Sequence, residues 1–172
     1  QMFDPKNGTW KDLISEIKQA KDCNKVIISS EDLSSLDTAK IKIIEEHLAG
    51  YDIKIVIYLR RQDEQLQSEW VEVVRNVGQK PIIPSFTEWI QQYTSFSNNI
   101  RHLRIIDNWE SVFSKENLIL RILDPTQIHE SLFVDFLSSC EINLDRIVEV
   151  PNSNVSPGPK TIEAIRLIKN NI

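Results

Sequence analysis

The chain has 172 residues, of which 41% are hydrophobic and 26% charged, the balance of an ordinary globular protein with room for one sizeable core. A formal net charge of −5 excludes the broad basic surface of a nucleic-acid or anionic-membrane binder, so any positive site must be local. Cys23 and Cys140 alone make neither a disulfide framework nor a zinc site; they read as reduced, buried small hydrophobes.

In chain order, residues 1–8 read as an irregular lead-in broken by Pro5 and Gly8. Thr9 can cap a helix whose apolar stripe is Trp10, Leu13, Ile14 and Ile17. Lys25-Val26-Ile27-Ile28-Ser29 is a short apolar run suited to a central parallel strand, followed by a polar turn from Ser30 to Ser35. Asp37 can cap a helix through Leu48, with Ile41, Ile44 and Leu48 inward and Gly50 as its stop. Ile53 to Leu59 is the second strand. With a helix between the two strands, the expected unit is a right-handed βαβ.

The apolar strand ends in Arg60-Arg61, and a helix from about Asp63 to Val77 follows, with Leu66, Trp70, Val73, Val74 and Val77 on one side and Gly78 ending it. Pro81 and Pro84 fix an extended loop. Ser85-Phe86-Thr87-Glu88 is a capping box for a short helix with Trp89, Ile90 and Tyr93. A helix over 100–113 carries Leu103, Ile106, Trp109 and Phe113. Asn117 to Leu123 is the third strand, closed by Asp124-Pro125. Ile128 to Leu137 reads as a helix with Leu132, Phe133, Phe136 and Leu137 inward. A polar loop from Pro151 leads to Pro159, which suits the first turn of a last helix carrying Ile162, Ile165, Leu167 and Ile168. Strands alternating with helices, without repeat or linker, predict one α/β domain over 1–172 with a small parallel sheet between helical layers.

Open parallel sheets bind ligands where strands end and helices begin, because helix N-termini present free N–H groups and a positive dipole end. Arg60 and Arg61 stand at such a junction, and Ser68 lies about a turn and a half into the helix. An arginine fork and a hydroxyl could grip one phosphate from two sides. The alternative is a surface arginine paired with Asp63 or Glu64, and a solvated serine. Glu31, after the first strand, would share that rim and could act as a general base; otherwise it or Asp32 caps the turn. Asn152 and Asn154 lie in a polar loop able to wrap a nucleotide or merely connect. His47, His102 and His129 have no metal-ligand spacing, and the tryptophans fall on helical apolar faces.

These segments resemble the sulfotransferases that use 3′-phosphoadenosine 5′-phosphosulfate, a P-loop-type α/β family. Leu59-Arg60-Arg61-Gln62 with Ser68 is similar to its 3′-phosphate-binding segment. Val26 to Glu31 resembles the strand whose glutamate is the base in the carbohydrate-acting branch. Tyr93 to Val112 with Glu116 to Arg121, Asp135-Phe136-Leu137, and Asn152 to Lys160 resemble later segments, the last its nucleotide loop. The nearest likeness is to bacterial members linked to surface glycans. The resemblance implies that Arg60, Arg61, Ser68, Asn152 and Asn154 hold the nucleotide, either the donor or adenosine 3′,5′-bisphosphate, without a metal. It further implies that Glu31 is the base toward a glycan hydroxyl.

Two departures qualify the implied activity. The family's opening strand and Gly-rich, Lys-Ser/Thr loop for the 5′-phosphosulfate have no counterpart; Gly8 and Lys11 follow no apolar strand. The usual proline after the arginine is also missing. By resemblance, the missing strand lies between the second and third strands, where its loss would leave backbone groups unpaired at about 1–3 kcal/mol each. The expectation is therefore a sulfotransferase-like domain that is incomplete at its N-terminus and inactive as this chain, or one whose two strands pair directly. The alternative function is a non-catalytic interaction module in surface-polysaccharide assembly. Without a membrane-spanning run or signal-peptide pattern, the sequence reads as cytoplasmic.

Overall fold

Local capping chemistry starts the chain. The Thr9 hydroxyl accepts from the Asp12 N–H at 3.4 Å and the Asp12 carboxylate accepts from the Thr9 N–H at 2.7 Å, a capping box that opens α1 (Trp10–Gln19). The computed structural model describes residues 9–20, 23–76, 82–93, 101–124, 126–128, 131–143 and 157–171. Ser30 caps a short 3₁₀ turn, Glu31–Ser35. Asp37 then accepts from the Lys40 N–H at 2.9 Å and opens α2 (Thr38–His47). Gly50, at φ +93°, turns the chain after it, in a region that L-residues disfavour. The strand β1 is Ile55–Leu59, and α3 (Gln62–Asn76) follows two residues later.

The Ser85–Glu88 capping box opens α4 (Phe86–Tyr93) as the sequence predicts, with the Ser85 N–H on the Glu88 carboxylate at 2.8 Å. Next come α5 (His102–Phe113) and the strand β2 (Leu118–Ile122). Ser131 caps α6 (Leu132–Ser139), and Pro159 takes the first position of α7 (Pro159–Asn170). Among the described residues this is a mixed α/β chain of seven α-helices and one two-stranded parallel sheet, which fits the αβα class.

Two compact units divide the chain, the first Gln1–Ile57 with Arg101–Ile119, the second Tyr58–Ile100 with Leu120–Ile172. Each has a hydrophobic core of its own. In the first, Ile41, Ile44 and Leu48 pack with Ile105, Trp109 and Phe113, and Ile55, Ile57 and Leu118 lie against them. Asn108 ties α5 to the start of α2: it donates to the Leu36 carbonyl at 3.1 Å and accepts from the Thr38 hydroxyl at 3.4 Å. In the second, Trp70, Val71 and Val74 of α3 pack with Ile83, Trp89 and Ile162.

Several expectations are revised. Residues 25–29 form no strand: they carry no ladder pairing among the described residues, and Val26, Ile27 and Ile28 are 50%, 47% and 38% exposed. β-Propensity describes fitness for a pleated, half-buried surface and makes no strand without a partner. The βαβ unit expected there is accordingly not formed. Instead β1 and β2 pair directly, with the Leu123 N–H donating to the Leu59 carbonyl at 2.8 Å just past β2. In α5 the buried stripe is Ile105, Trp109 and Phe113, at i, i+4 and i+8; Leu103, about 200° around the helix from Ile105, is 76% exposed. The helix predicted from Ile128 begins at Leu132, so Leu132 and Phe133 fall in its first turn and stay exposed, as do Leu167 and Ile168 on α7. Cys23 is exposed and Cys140 half-buried, not the buried pair expected. Val77 and Gly78 lie outside the described residues.

Candidate functional site

Because β1 and β2 are parallel and adjacent, their C-terminal ends lie side by side, with Arg60 and Arg61 leaving β1 beside Asp124 leaving β2. All of these residues belong to the second unit. The first-turn N–H groups of α3 lack intrahelical acceptors, as at any helix start. Carboxylates fill that turn: Asp63 and Glu64 are its acidic residues.

Both arginines have found these carboxylates. Arg61 is held by two points on Asp63, Nε to Oδ1 at 3.2 Å and Nη2 to Oδ2 at 2.9 Å. The pairing lifts Arg61 above its ordinary pKa and pulls Asp63 below the usual carboxylate value, in each case chiefly through that hydrogen bonding. Arg60 is held by one point, Nε to Glu64 Oε2 at 3.2 Å, with both side chains partly exposed. Its Nη groups have no hydrogen-bond partner among the described residues, nor does the half-buried Ser68 hydroxyl. Thus Arg60 and Ser68 keep the donor capacity that the sequence assigned to them, while Arg61 is committed to Asp63.

Asp124 is a rim residue that sequence reading used only as a strand terminator. Its Oδ1 accepts from the Thr126 N–H at 2.7 Å and the Thr126 hydroxyl at 2.5 Å. Those bonds, with the Arg61 charge adding, hold it below the ordinary carboxylate value. Two arginines against Asp63, Glu64 and Asp124 leave the rim one negative charge in excess, so an incoming anion competes with carboxylates already at the arginines rather than entering an open positive pocket.

A second polar group missed in the sequence spans β1, β2 and α6. Arg121 grips Asp135 through Nε at 3.0 Å and through Nη2, and the Tyr58 hydroxyl donates to the same Asp135 Oδ1. The Asp135 side chain is only 12% exposed. Arg121, and secondarily Tyr58, keep it below the usual carboxylate range. Burial, helped by the bond to Asp135, pushes Tyr58 up to about 12. Tyr58 and Asp135 are 77 positions apart, so no local pattern joins them; alternation along β1 and β2 could only have put Tyr58 and Arg121 on definite faces. Both Asp135 oxygens are engaged, by the Arg121 fork and the Tyr58 hydroxyl, which marks the cluster as a structural clamp.

Glu31 lies on the exposed 3₁₀ turn of the first unit, where Ser30 rather than Glu31 caps by accepting from the Asp32 N–H at 3.3 Å. Asn152 and Asn154 lie outside the described residues. His47 is exposed and stacks on Trp10, ring centres 5.0 Å apart, and Trp70, Trp89 and Trp109 are core residues as expected. Among the described residues no helix is long and apolar enough to cross a membrane.

Comparison with known proteins adds one relative. An uncharacterized protein of Archaeoglobus fulgidus is 28% identical over 120 residues, covering 69% of this chain and 31% of that protein. The chain thus spans under a third of the length of the relative it matches. No family model matches the chain, and no solved structure matches it.

Proposed function

We propose that the chain is a sulfotransferase-like α/β domain whose strand-end residues Arg60 and Ser68 bind the 3′-phosphate of a nucleotide, either 3′-phosphoadenosine 5′-phosphosulfate or its product adenosine 3′,5′-bisphosphate. The observation that carries the reading is the state of Arg60. It stands at the C-terminal end of a parallel strand, at a helix start, with only Nε engaged. A phosphate offers an arginine a bidentate acceptor, which a single-point carboxylate contact does not match. In this reading the acceptor is a glycan hydroxyl; the part of Glu31 as base toward it loses its physical support, because the strand over 25–29 that would have carried it to the rim of Arg60 is not formed.

Direct pairing of β1 with β2 favours a second reading. The expected place of a strand and phosphosulfate loop between them is closed, which supports a non-catalytic module, binding nucleotide or partner without transferring sulfuryl groups. Thermal unfolding with adenosine 3′,5′-bisphosphate, against adenosine 5′-phosphate as control, tests the shared claim. At about 100 times the dissociation constant, binding adds about 2.7 kcal/mol, a rise of about 5–10 °C for a chain of this size. The rise should need the 3′-phosphate and vanish in Arg60→Ala. An equal rise in that variant sinks the assignment.

A further inference from the structure

The single-point contact between Arg60 and Glu64 places a competing anion on the proposed ligand's own partner. We propose that Glu64 is a built-in competitor for the phosphate at Arg60, a tethered carboxylate that a ligand taking the Nε–Nη2 fork must displace and that sets the affinity of the site. The inference rests on the reading of Arg60 as the phosphate ligand and concerns how that site is regulated.

The geometry separates the two arginines. Asp63 takes both Nε and Nη2 of Arg61 and holds that guanidinium in a fork–fork pair. Glu64, in the first turn of α3, reaches only Nε of Arg60 four positions back, with both side chains over a third exposed. An i, i+4 ion pair of this kind is weak and salt-screened, so a phosphate can displace it. Displacement does not remove the competitor. Glu64 is fixed in the first turn of α3, and its charge stays within a turn of the bound phosphate, so it opposes the ligand twice: as an occupant of Arg60 before binding and as a like charge afterwards. The α3 N-terminus itself favours a negative group, which Glu64 and Asp63 supply while no ligand is bound.

The prediction is made on the whole chain by calorimetric titration with adenosine 3′,5′-bisphosphate. Glu64→Gln keeps the side-chain shape and an oxygen for Arg60 Nε while removing the charge. It should bind about three- to ten-fold more tightly than the unaltered protein, the size of a like-charge contact near a protein surface. Glu72→Gln is the control. It removes the same charge from the same helix, where Glu72 Oε1 pairs with Arg75 Nη1 at 3.3 Å. Eight residues further on, about 12 Å along the axis, its charge lies beyond a Debye length from Glu64 in about 0.1 M salt. Its affinity should stay within about two-fold of the unaltered protein.

Tighter binding in Glu64→Gln but not in Glu72→Gln supports the competitor. Equal or weaker binding in Glu64→Gln, with binding abolished in Arg60→Ala, overturns it and leaves the phosphate reading standing, Glu64 then serving to orient Arg60. Equal tightening in both variants also overturns it, because net charge alone then accounts for the gain. If neither the unaltered protein nor Glu64→Gln binds, the phosphate reading fails and the competitor fails with it.

Discussion

Tyr58, Asp135 and Arg121 show how one half-buried charge becomes stable. Alone, the Asp135 carboxylate would lose much of its hydration; with the Arg121 fork and the Tyr58 hydroxyl on it, its ionised form is favoured and its pKa falls. The same contact acts oppositely on Tyr58, whose ionised form would face that carboxylate, and burial adds to the effect. The folded chain therefore keeps the Tyr58 proton up to about 12, whereas the unfolded chain releases it near 10.0. Between those values the unfolded state binds fewer protons, so stability falls as pH rises; the contribution is complete below pH 10.0 and is lost on approaching 12. Urea unfolding across that range should lose this slope in Tyr58→Phe. Near neutral pH the variant removes one hydrogen bond while Arg121 still holds Asp135, a loss of about 0.5–1.5 kcal/mol. An unchanged alkaline slope in the variant would remove Tyr58 as its source.

At the scale of elements, α7 works as a clasp. Lys169 Nζ donates to the Val74 and Arg75 carbonyls, each at 2.9 Å, and so caps the C-terminal end of α3. Asn170 reads both backbone groups of Ile83: its Oδ1 accepts from the Ile83 N–H at 2.7 Å and its Nδ2 donates to the Ile83 carbonyl at 3.0 Å. Arg166 Nη1 donates to that carbonyl as well, at 2.9 Å. Ile83 is 2% exposed, so its N–H depends on Asn170, whereas its carbonyl has a second donor. Asn170→Ala should therefore lower stability by about 1–3 kcal/mol, the cost of a buried orphan donor. Asn170→Asp keeps the acceptor and should lose less, measured as the midpoint of chemical unfolding. Equal losses in both variants would show that the retained acceptor contributes nothing and would overturn the orphan-donor account. Helix starts were legible because Thr9, Asp37 and Ser85 act within three residues of themselves. The clasp was not, since Asn170 and Ile83 are 87 positions apart and an asparagine on a helical face has no signature of its target.

For the whole molecule, 3.6-residue spacing announced both cores but not their partners. Ile41, Ile44 and Leu48 were readable as one stripe, and Trp70 and Val74 as part of another, yet nothing local says that the first meets α5 or that Ile162 completes the second. The 25–29 run shows the converse limit: apolar composition promised a strand that pairing did not supply. Arg60 and Ser68 were legible as a strand-to-helix junction; Glu64 as the occupant of Arg60 stood among the alternatives, and geometry decides it. The two core clusters have no residue in common, and each contains a fully buried isoleucine, Ile41 in one and Ile162 in the other. Truncating either leaves a cavity worth about 2–5 kcal/mol. The loss falls in different clusters, however: Ile41 shares its core with Ile44, Leu48 and Trp109, and Ile162 shares its core with Trp70, Val74 and Trp89. Native-state hydrogen exchange should therefore separate the variants before global unfolding does. Ile162→Ala should speed exchange first in α3 and α7, and Ile41→Ala first in α2 and α5. Should either variant raise exchange uniformly across all seven helices, the chain opens as one cooperative unit and the two cores do not act as separate sources of stability.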